Sequence, residues 1–221
     1  MPKNIAATTP EVIREFKKII IVASPNVQEN FKRQLVDPAS IKQENGLWNI
    51  DTCTGNKFIE EVNPLSLKEQ PKDIVVQQIE RIIRENYIFL GYESFANIVD
   101  KTIKKPGINQ KDDKAINEVI KREFSNRLII IDEVHNMRVT GDSNHKRSLE
   151  RLNMVAKATS NLKLLLLSAT PMYNSHLEII WLLNLMNIND GNPPVLEREI
   201  FDTNGDFQED GRNILIERSR G

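Results

Sequence analysis

The chain has 221 residues, which is enough for one α/β domain with a short tail. Hydrophobic residues make up 39% and charged residues 28%, so the sequence can bury a core and is not expected to be disordered. The formal net charge of -1 excludes a uniformly basic nucleic-acid-binding chain. Any polyanion would therefore have to meet a local basic patch, or a part of the protein outside these residues.

The cysteine content and the lengths of the apolar segments indicate in which cellular compartment the protein is expected. The single cysteine, Cys53, cannot form an internal disulfide, and no Cys/His cluster has zinc spacing. The longest apolar runs, Ile19–Ala23 and Leu162–Ala169, are too short to cross a bilayer, and the N-terminus lacks the apolar region of a signal peptide. These features predict a soluble intracellular protein with no membrane partner.

Strand-like and helix-like patterns alternate along the chain. Short aliphatic or β-branched runs predict strands, which are Lys18–Ala23, Leu47–Ile50 (weaker), Tyr87–Tyr92, Leu128–Ile131 and Leu162–Leu167. Amphipathic stretches predict helices, which are Val27–Leu35, Ile74–Ile83, Ser94–Ile103, Ile116–Phe124, Ser148–Ala158 and His176–Met186. Lys104–Lys114 reads as a flexible surface insertion and Arg138–Lys146 as a loop. No element is predicted after Asn187.

This alternation predicts an α/β fold with a parallel sheet and helices on both faces. Functional residues of such sheets lie at the carboxyl ends of the strands. That rule selects Ser24–Pro25, Gly91–Glu93, Asp132–His135 and Ser168–Pro171.

The sharpest motif is the segment Leu128–His135, in which a buried strand ends in two adjacent carboxylates, Asp132 and Glu133. In nucleotide-hydrolysing enzymes one carboxylate at such a position anchors Mg²⁺ beside the phosphates, because Mg²⁺ prefers oxygen ligands and keeps most of its waters. Asp132 fits that role, and Glu133 would polarise the attacking water. The alternative is that the pair only caps a strand and begins a solvated loop.

A second motif follows in Leu162–Met172, where a buried strand ends in Ser168-Ala169-Thr170. The two hydroxyls can bond the neighbouring strand end, which is the Asp132–His135 segment if the strands are adjacent. Taken alone, these residues would more simply form a turn after a strand. The two motifs together are more specific than either one.

These residues resemble the motifs of superfamily 2 helicases. Asp132–His135 is similar to their motif II, Ser168–Thr170 to motif III, and Ile19–Leu35 to motif Ia. The resemblance implies a RecA-like domain of the P-loop NTPase type that uses ATP and Mg²⁺. Ser24, Pro25 and Asn26 would then contact the nucleic-acid backbone.

His135 would sense the γ-phosphate, while Ser168 and Thr170 would couple nucleotide state to interdomain geometry. The assignments of motif Ia and of His135 each have a simpler alternative. The motif Ia segment could be an ordinary strand-turn-helix connection, and His135 a polar residue at the start of a loop.

A narrower resemblance is to helicases of nucleocytoplasmic large DNA viruses, which are related to the poxvirus early transcription factor small subunit. It is carried by Trp48–Pro64, Tyr87–Phe95, Ile131–Arg138 and Leu164–Asn187. It implies a role in viral transcription or RNA handling in the virion or the host-cell cytoplasm. The implied partners are DNA or RNA, a second RecA-like domain of the parent chain, and a viral RNA polymerase.

One family motif is missing from the sequence. A phosphate-binding loop of the form G-x-x-x-x-G-K-[ST] does not occur, and Gly55-Asn56-Lys57 does not substitute for it. We therefore expect residues 1–187 to form a partial first RecA-like domain that lacks this strand and loop, and residues 188–221 to form a linker or tail toward a second domain. The alternative is a degenerate, non-catalytic RecA-like module that makes protein contacts in a transcription complex.

Overall fold

The structure, a computed structural model, describes residues 17–50, 52, 58–60, 70–137, 143–171 and 177–219, with the side chains of residues 143–145 excepted. Cys53, Gly55–Lys57, Arg138 and His176, which the sequence analysis considered, lie outside these ranges. In the part that is described, no helix is both long enough and apolar enough to cross a membrane.

The chain adopts an α/β fold. The strands are β1 Ile19–Val22, β2 Ile41–Glu44, β3 Leu47–Ile50, β4 Tyr87–Leu90, β5 Arg127–Ile131 and β6 Leu162–Leu166. The α-helices are α1 Pro25–Leu35, α2 Lys72–Asn86, α3 Tyr92–Ile103, α4 Asp113–Phe124, α5 Ser143–Ala158, α6 Leu177–Asn189, α7 Glu197–Ile200 and α8 Gly211–Arg218. Short 3₁₀ helices cover Pro38–Ser40 and Val134–Met137.

The main sheet is parallel, has four strands in the order β4-β1-β5-β6, and is flanked by helices. This confirms the predicted fold class. The chain divides into two compact units, which are Met1–Gly91 with Asn126–Ile129 and Tyr92–Ser125 with Ile130–Gly221.

In the first unit, β1 forms the buried centre. All four of its residues are buried, as expected for a β-branched run covered on both faces. It pairs in parallel with β4, with Ile19 opposite Tyr87 and Val22 opposite Leu90. After β1 the chain turns into α1, whose first position is Pro25, a residue with the backbone angle that a helix start requires.

The strand Leu47–Ile50 belongs to a separate antiparallel hairpin, where it pairs with β2. The expectation that every strand joins one parallel sheet is therefore wrong for this segment. The turn residues Asn45 and Gly46 have φ values of 52° and 79°, the left-handed angles that a two-residue hairpin turn needs. The β2 strand was missed because only Ile41 of its four residues is buried.

The second unit packs α3 and α4 through aromatic side chains. Phe95 and Phe124 are fully buried and meet edge to face, with ring centroids 6.3 Å apart. Helix α4 begins where the Asp112 carboxylate accepts hydrogen bonds from the backbone N–H groups of Lys114 and Ala115.

A buried carboxylate joins α3 to α5. Asp100 is 8% exposed and accepts hydrogen bonds from the guanidinium groups of Arg147 and Arg151. Arg147 also donates to the Asn97 side chain at 2.7 Å. Burial alone would raise the pKa of the Asp100 carboxyl, but the hydrogen bonds and charges of the two arginines outweigh burial and lower that pKa below its usual value.

Two predicted boundaries differ from the structure. Helix α5 begins at Ser143, so the part of the expected loop from Ser143 to Lys146 is helical. The polar composition of this run predicts a loop, but polar residues are equally compatible with the exposed start of a helix. Tyr92, expected at the end of a strand, is instead the first residue of α3.

The region after Asn187 also carries structure. Val195, Ile200 and Phe201 are buried in one cluster with Ile180 of α6. At the start of α8, a Cβ atom added to Gly211 would overlap the Ile200 carbonyl, so this close approach requires glycine. The boundary between domain and tail at residue 187 stays a prediction.

We predict that Asp100→Asn lowers the free energy of unfolding by about 2–3 kcal/mol at neutral pH, because two guanidinium groups lose their buried anion. The folded-state pKa of Asp100 is depressed, so its stabilising contribution is present above the unfolded pKa of about 3.9 and is lost as pH falls through the lower folded value. Urea denaturation across this range measures both effects.

The matched control is Glu123→Gln, which weakens a surface ion pair with Lys105 that spans 3.7 Å. This substitution should cost less than about 1 kcal/mol, since exposed pairs contribute little. Equal losses in the two variants, or an Asp100→Asn deficit that does not shrink as the pH falls from neutral to well below about 4, would contradict the prediction.

Candidate functional site

The carboxyl ends of β5 and β6 meet through backbone hydrogen bonds. The N–H of Leu167 donates to the carbonyl of Ile131 at 2.9 Å, and the N–H of Val134 donates to the carbonyl of Leu167 at 2.9 Å. These two bonds continue the strand pairing beyond the last residues of the sheet. They bring the segment after β5 beside the segment after β6, as the parallel topology predicts.

Glu133 occupies a left-handed backbone conformation, with a φ of 46°. This angle disfavours residues that carry a Cβ atom. It turns the chain sharply between β5 and the 3₁₀ helix Val134–Met137, so that Asp132 and Glu133 remain at the end of the sheet. An unfavourable backbone angle at a candidate functional residue is typical of sites where geometry matters more than stability.

His135 connects the two motifs. Its Nδ1 atom lies 3.0 Å from Ser168 Oγ, within hydrogen-bonding geometry. The same nitrogen lies 3.0 Å from Glu133 Oε2. That second approach lacks the direction of a hydrogen bond, and Glu133 Oε2 is buried without a hydrogen-bond partner among the described residues. The carboxylate oxygen can therefore still accept a proton or a hydrogen bond from a bound molecule.

Ser168 also receives a hydrogen bond from the backbone N–H of Thr170, at 3.2 Å. The hydroxyl thus closes the turn after β6 and contacts His135 at the same time. The turn interpretation and the coupling interpretation of this motif are compatible in the structure. Thr170 itself is exposed.

The environment of Asp132 disfavours its negative charge. Burial is the larger cause, followed by the charge of Glu133, and together they raise the pKa of the Asp132 carboxyl above its usual value. The hydrogen bond from the Glu133 backbone N–H and the nearby His135 oppose this effect without cancelling it. A cation bound here would relieve the repulsion, so the position fits a metal ligand.

Among the described residues, no three Asp, Glu, His or Cys side chains cluster into a metal-binding cage. Mg²⁺ keeps several waters and takes one or two carboxylates, so a single carboxylate such as that of Asp132 is compatible with this ion.

An apolar cavity of about 620 Å³ adjoins this corner, and both Val134 and Ser168 line it. The strand β6 and the helix α6 contribute leucine and isoleucine side chains to the lining, and α8 contributes Leu215. The charged groups of Asp132 and Glu133 do not line it. This cavity is therefore not where the carboxylates would act.

Tyr92 belongs to this site, although no sequence motif assigns it a role. Its hydroxyl donates a hydrogen bond to the backbone carbonyl of Asp132 at 2.8 Å and lies 3.3 Å from the side-chain amide of Asn136. Burial raises the pKa of this phenol, although the hydrogen bond from Asn136 lowers it. The position of Tyr92 just after β4 selected it for inspection, but no sequence motif pointed to Asp132.

The residues proposed for a nucleic-acid backbone lie in the first compact unit. Ser24 precedes α1, and Pro25 and Asn26 are exposed in its first turn. Within the described residues, the Ser24 hydroxyl makes no capping hydrogen bond to the helix. The backbone N–H groups at the start of α1 can therefore donate hydrogen bonds to an anion.

The fold and the paired strand ends are those of a RecA-like domain of superfamily 2 helicases, and the comparison with protein families agrees. The chain belongs to the family described as "Type III restriction enzyme, res subunit", whose profile matches residues 5–173.

Two relatives come from large DNA viruses. A "Putative ATP-dependent RNA helicase" of Acanthamoeba polyphaga mimivirus is 25% identical over 211 residues, which cover 86% of this chain and 18% of the relative. A "Putative helicase" of Invertebrate iridescent virus 3 is 25% identical over 171 residues, which cover 77% of this chain and 14% of the relative. The chain thus spans less than a fifth of either relative. No solved structure matches it.

We predict that Glu133→Gly is more stable than Glu133→Ala by about 1 kcal/mol, because only glycine adopts the left-handed backbone angle without a Cβ clash. Both variants lose the same carboxylate, so their difference isolates the backbone conformation. Chemical denaturation of the two proteins measures it. An alanine variant as stable as the glycine variant would show that Glu133 is not strained.

Proposed function

We propose that this chain is part of the first motor domain of an ATP-dependent nucleic-acid helicase or translocase. The observation that carries the proposal is the corner where Asp132 and Glu133 lie beside His135 and Ser168, at the joined carboxyl ends of β5 and β6. The family match and the names of the two viral relatives support the same class.

Asp132 is the residue we assign to Mg²⁺, because its pKa is raised by burial and by Glu133, and a cation would stabilise its charge. Mg²⁺ bound with ATP would supply charge neutralisation at the phosphates. Glu133 would orient a water molecule and accept its proton, since Oε2 has no hydrogen-bond partner among the described residues.

His135 and Ser168 would communicate the state of this site to other parts of the parent protein. A rotation of the imidazole cannot occur without changing the 3.0 Å contact to Ser168 Oγ. Ser168 in turn sets the backbone of Thr170, with which it shares a hydrogen bond. Movement at the phosphates would therefore reach the turn after β6.

For the nucleic acid, we assign Ser24, Pro25 and Asn26 to the phosphate backbone. Support comes from the exposed start of α1, where backbone N–H groups favour anions. DNA and RNA present the same phosphates to such a site, so these residues would position a strand without reading its sequence.

The remaining partners follow from the resemblance alone. They are a second RecA-like domain of the parent chain, entered through residues 188–221, and a viral RNA polymerase. A role in viral transcription is part of the same proposal.

The test is an ATPase assay of the intact gene product with single-stranded DNA, single-stranded RNA and duplexes. Glu133→Gln should lower kcat by at least about 100-fold and leave ATP binding in place, because it removes the proton acceptor and keeps the shape. Glu85→Gln, an exposed substitution in α2, is the matched control and should retain full activity.

A second arm uses residues 1–221 alone. Their sequence carries no phosphate-binding loop, so we expect no measurable turnover. Mg²⁺-dependent turnover by this chain, abolished by Glu133→Gln, would refute that expectation. An intact gene product without nucleic-acid-stimulated ATPase activity would instead favour the non-catalytic interaction module.

A further inference from the structure

Tyr92 holds the peptide unit that joins the two carboxylate residues. This peptide consists of the carbonyl of Asp132 and the N–H of Glu133. Its carbonyl accepts the 2.8 Å hydrogen bond from the Tyr92 hydroxyl. This bond restrains the plane of the peptide.

The position of this peptide in the chain explains why a side chain is needed to hold its carbonyl. The pairing of β5 with its neighbour ends at Ile131, whose carbonyl accepts from Leu167. Asp132 is the next residue, and Glu133 then adopts its left-handed φ of 46°. The hydrogen bond from Tyr92 holds the carbonyl just before this turn, where the sheet no longer does.

Tyr92 is itself held from two sides. Its backbone carbonyl accepts a hydrogen bond from the Ser148 hydroxyl at 3.2 Å, and Ser148 is 1% exposed. Its phenol oxygen accepts from the Asn136 amide at 3.3 Å. Because the single phenol proton goes to Asp132, the phenol oxygen is free to accept this second bond. The Ser148 bond therefore fixes the backbone at the start of α3, whereas the Asn136 bond acts on the phenol oxygen itself.

We infer that Tyr92 is a positioning residue, whose hydroxyl fixes the Asp132–Glu133 peptide and thereby the direction in which the Asp132 carboxylate meets a divalent cation. The inference rests on the proposed function for the role of the cation. The hydrogen-bonding role of Tyr92 can be measured without it.

The experiment uses the 221-residue chain and its Tyr92→Phe variant, which removes only the hydroxyl. The first readout is amide hydrogen exchange across residues 131–137, which should become about 5-fold faster because a bond of about 1 kcal/mol is lost. The second is the affinity for Mn²⁺, used as a paramagnetic probe for Mg²⁺ and followed by water-proton relaxation. It should fall by about 5-fold for the same reason.

Ser148→Ala is the matched control, because it removes the hydrogen bond to the backbone of Tyr92 and leaves the phenol in place. It should lower the thermal midpoint while Mn²⁺ affinity stays at the wild-type value. Incorporation of 4-aminophenylalanine at position 92 restores a donor and should recover both readouts. Asn136→Ala, which removes only the bond to the phenol oxygen, should give a smaller increase in exchange than Tyr92→Phe.

The outcomes separate the inference from the proposed function. Exchange that is unchanged in Tyr92→Phe, or equally fast in Ser148→Ala, overturns the inference whatever Mn²⁺ does. If Asp132→Asn leaves Mn²⁺ binding unchanged, the proposed metal role fails, and exchange alone decides whether Tyr92 positions the peptide. Should Tyr92→Phe fail to fold, a 4-aminophenylalanine variant that folds fully and exchanges at the wild-type rate would support the inference, and misfolding of that variant would overturn it.

Discussion

The joining of two strand ends is the constraint on which the candidate site depends. Beyond the last paired residues of β5 and β6, Leu167 bonds to Ile131 and Val134 bonds back to Leu167. Two backbone bonds thus fix the start of the carboxylate segment relative to Ser168. Without them, the backbone would not hold His135 and Ser168 at the 3.0 Å distance of their contact.

The joined strand ends hold two residues in states that are unfavourable in isolation. Asp132 is partly buried next to another carboxylate, and Glu133 has a backbone angle that favours glycine. Each of these features costs stability, and each is tolerated because the surrounding hydrogen bonds determine the position of the segment. A cation would relieve the charge repulsion between the carboxylates, and a polarised water would supply a hydrogen bond to Glu133 Oε2, which has none among the described residues.

Outside the candidate site, a buried ion pair and aromatic packing stabilise the second compact unit. The buried Asp100 has two arginine partners, and Phe95 packs edge to face on Phe124. These contacts join α3 to α4 and α5. Since α3 begins at Tyr92, they also fix the helix whose first side chain reaches the Asp132 carbonyl.

The sequence by itself determined the parallel α/β fold and the two motifs at strand ends, because buried aliphatic runs and strand-terminal polar residues are local patterns. It did not reveal that Leu47–Ile50 belongs to a hairpin, since its partner strand has only one buried residue. Only the tertiary structure decided that Tyr92 bonds to Asp132 and that His135 contacts both Glu133 and Ser168. The contacts of Tyr92 with Asp132 and of His135 with Ser168 join residues far apart in the chain, and no periodicity in the sequence predicts which of these side chains will meet.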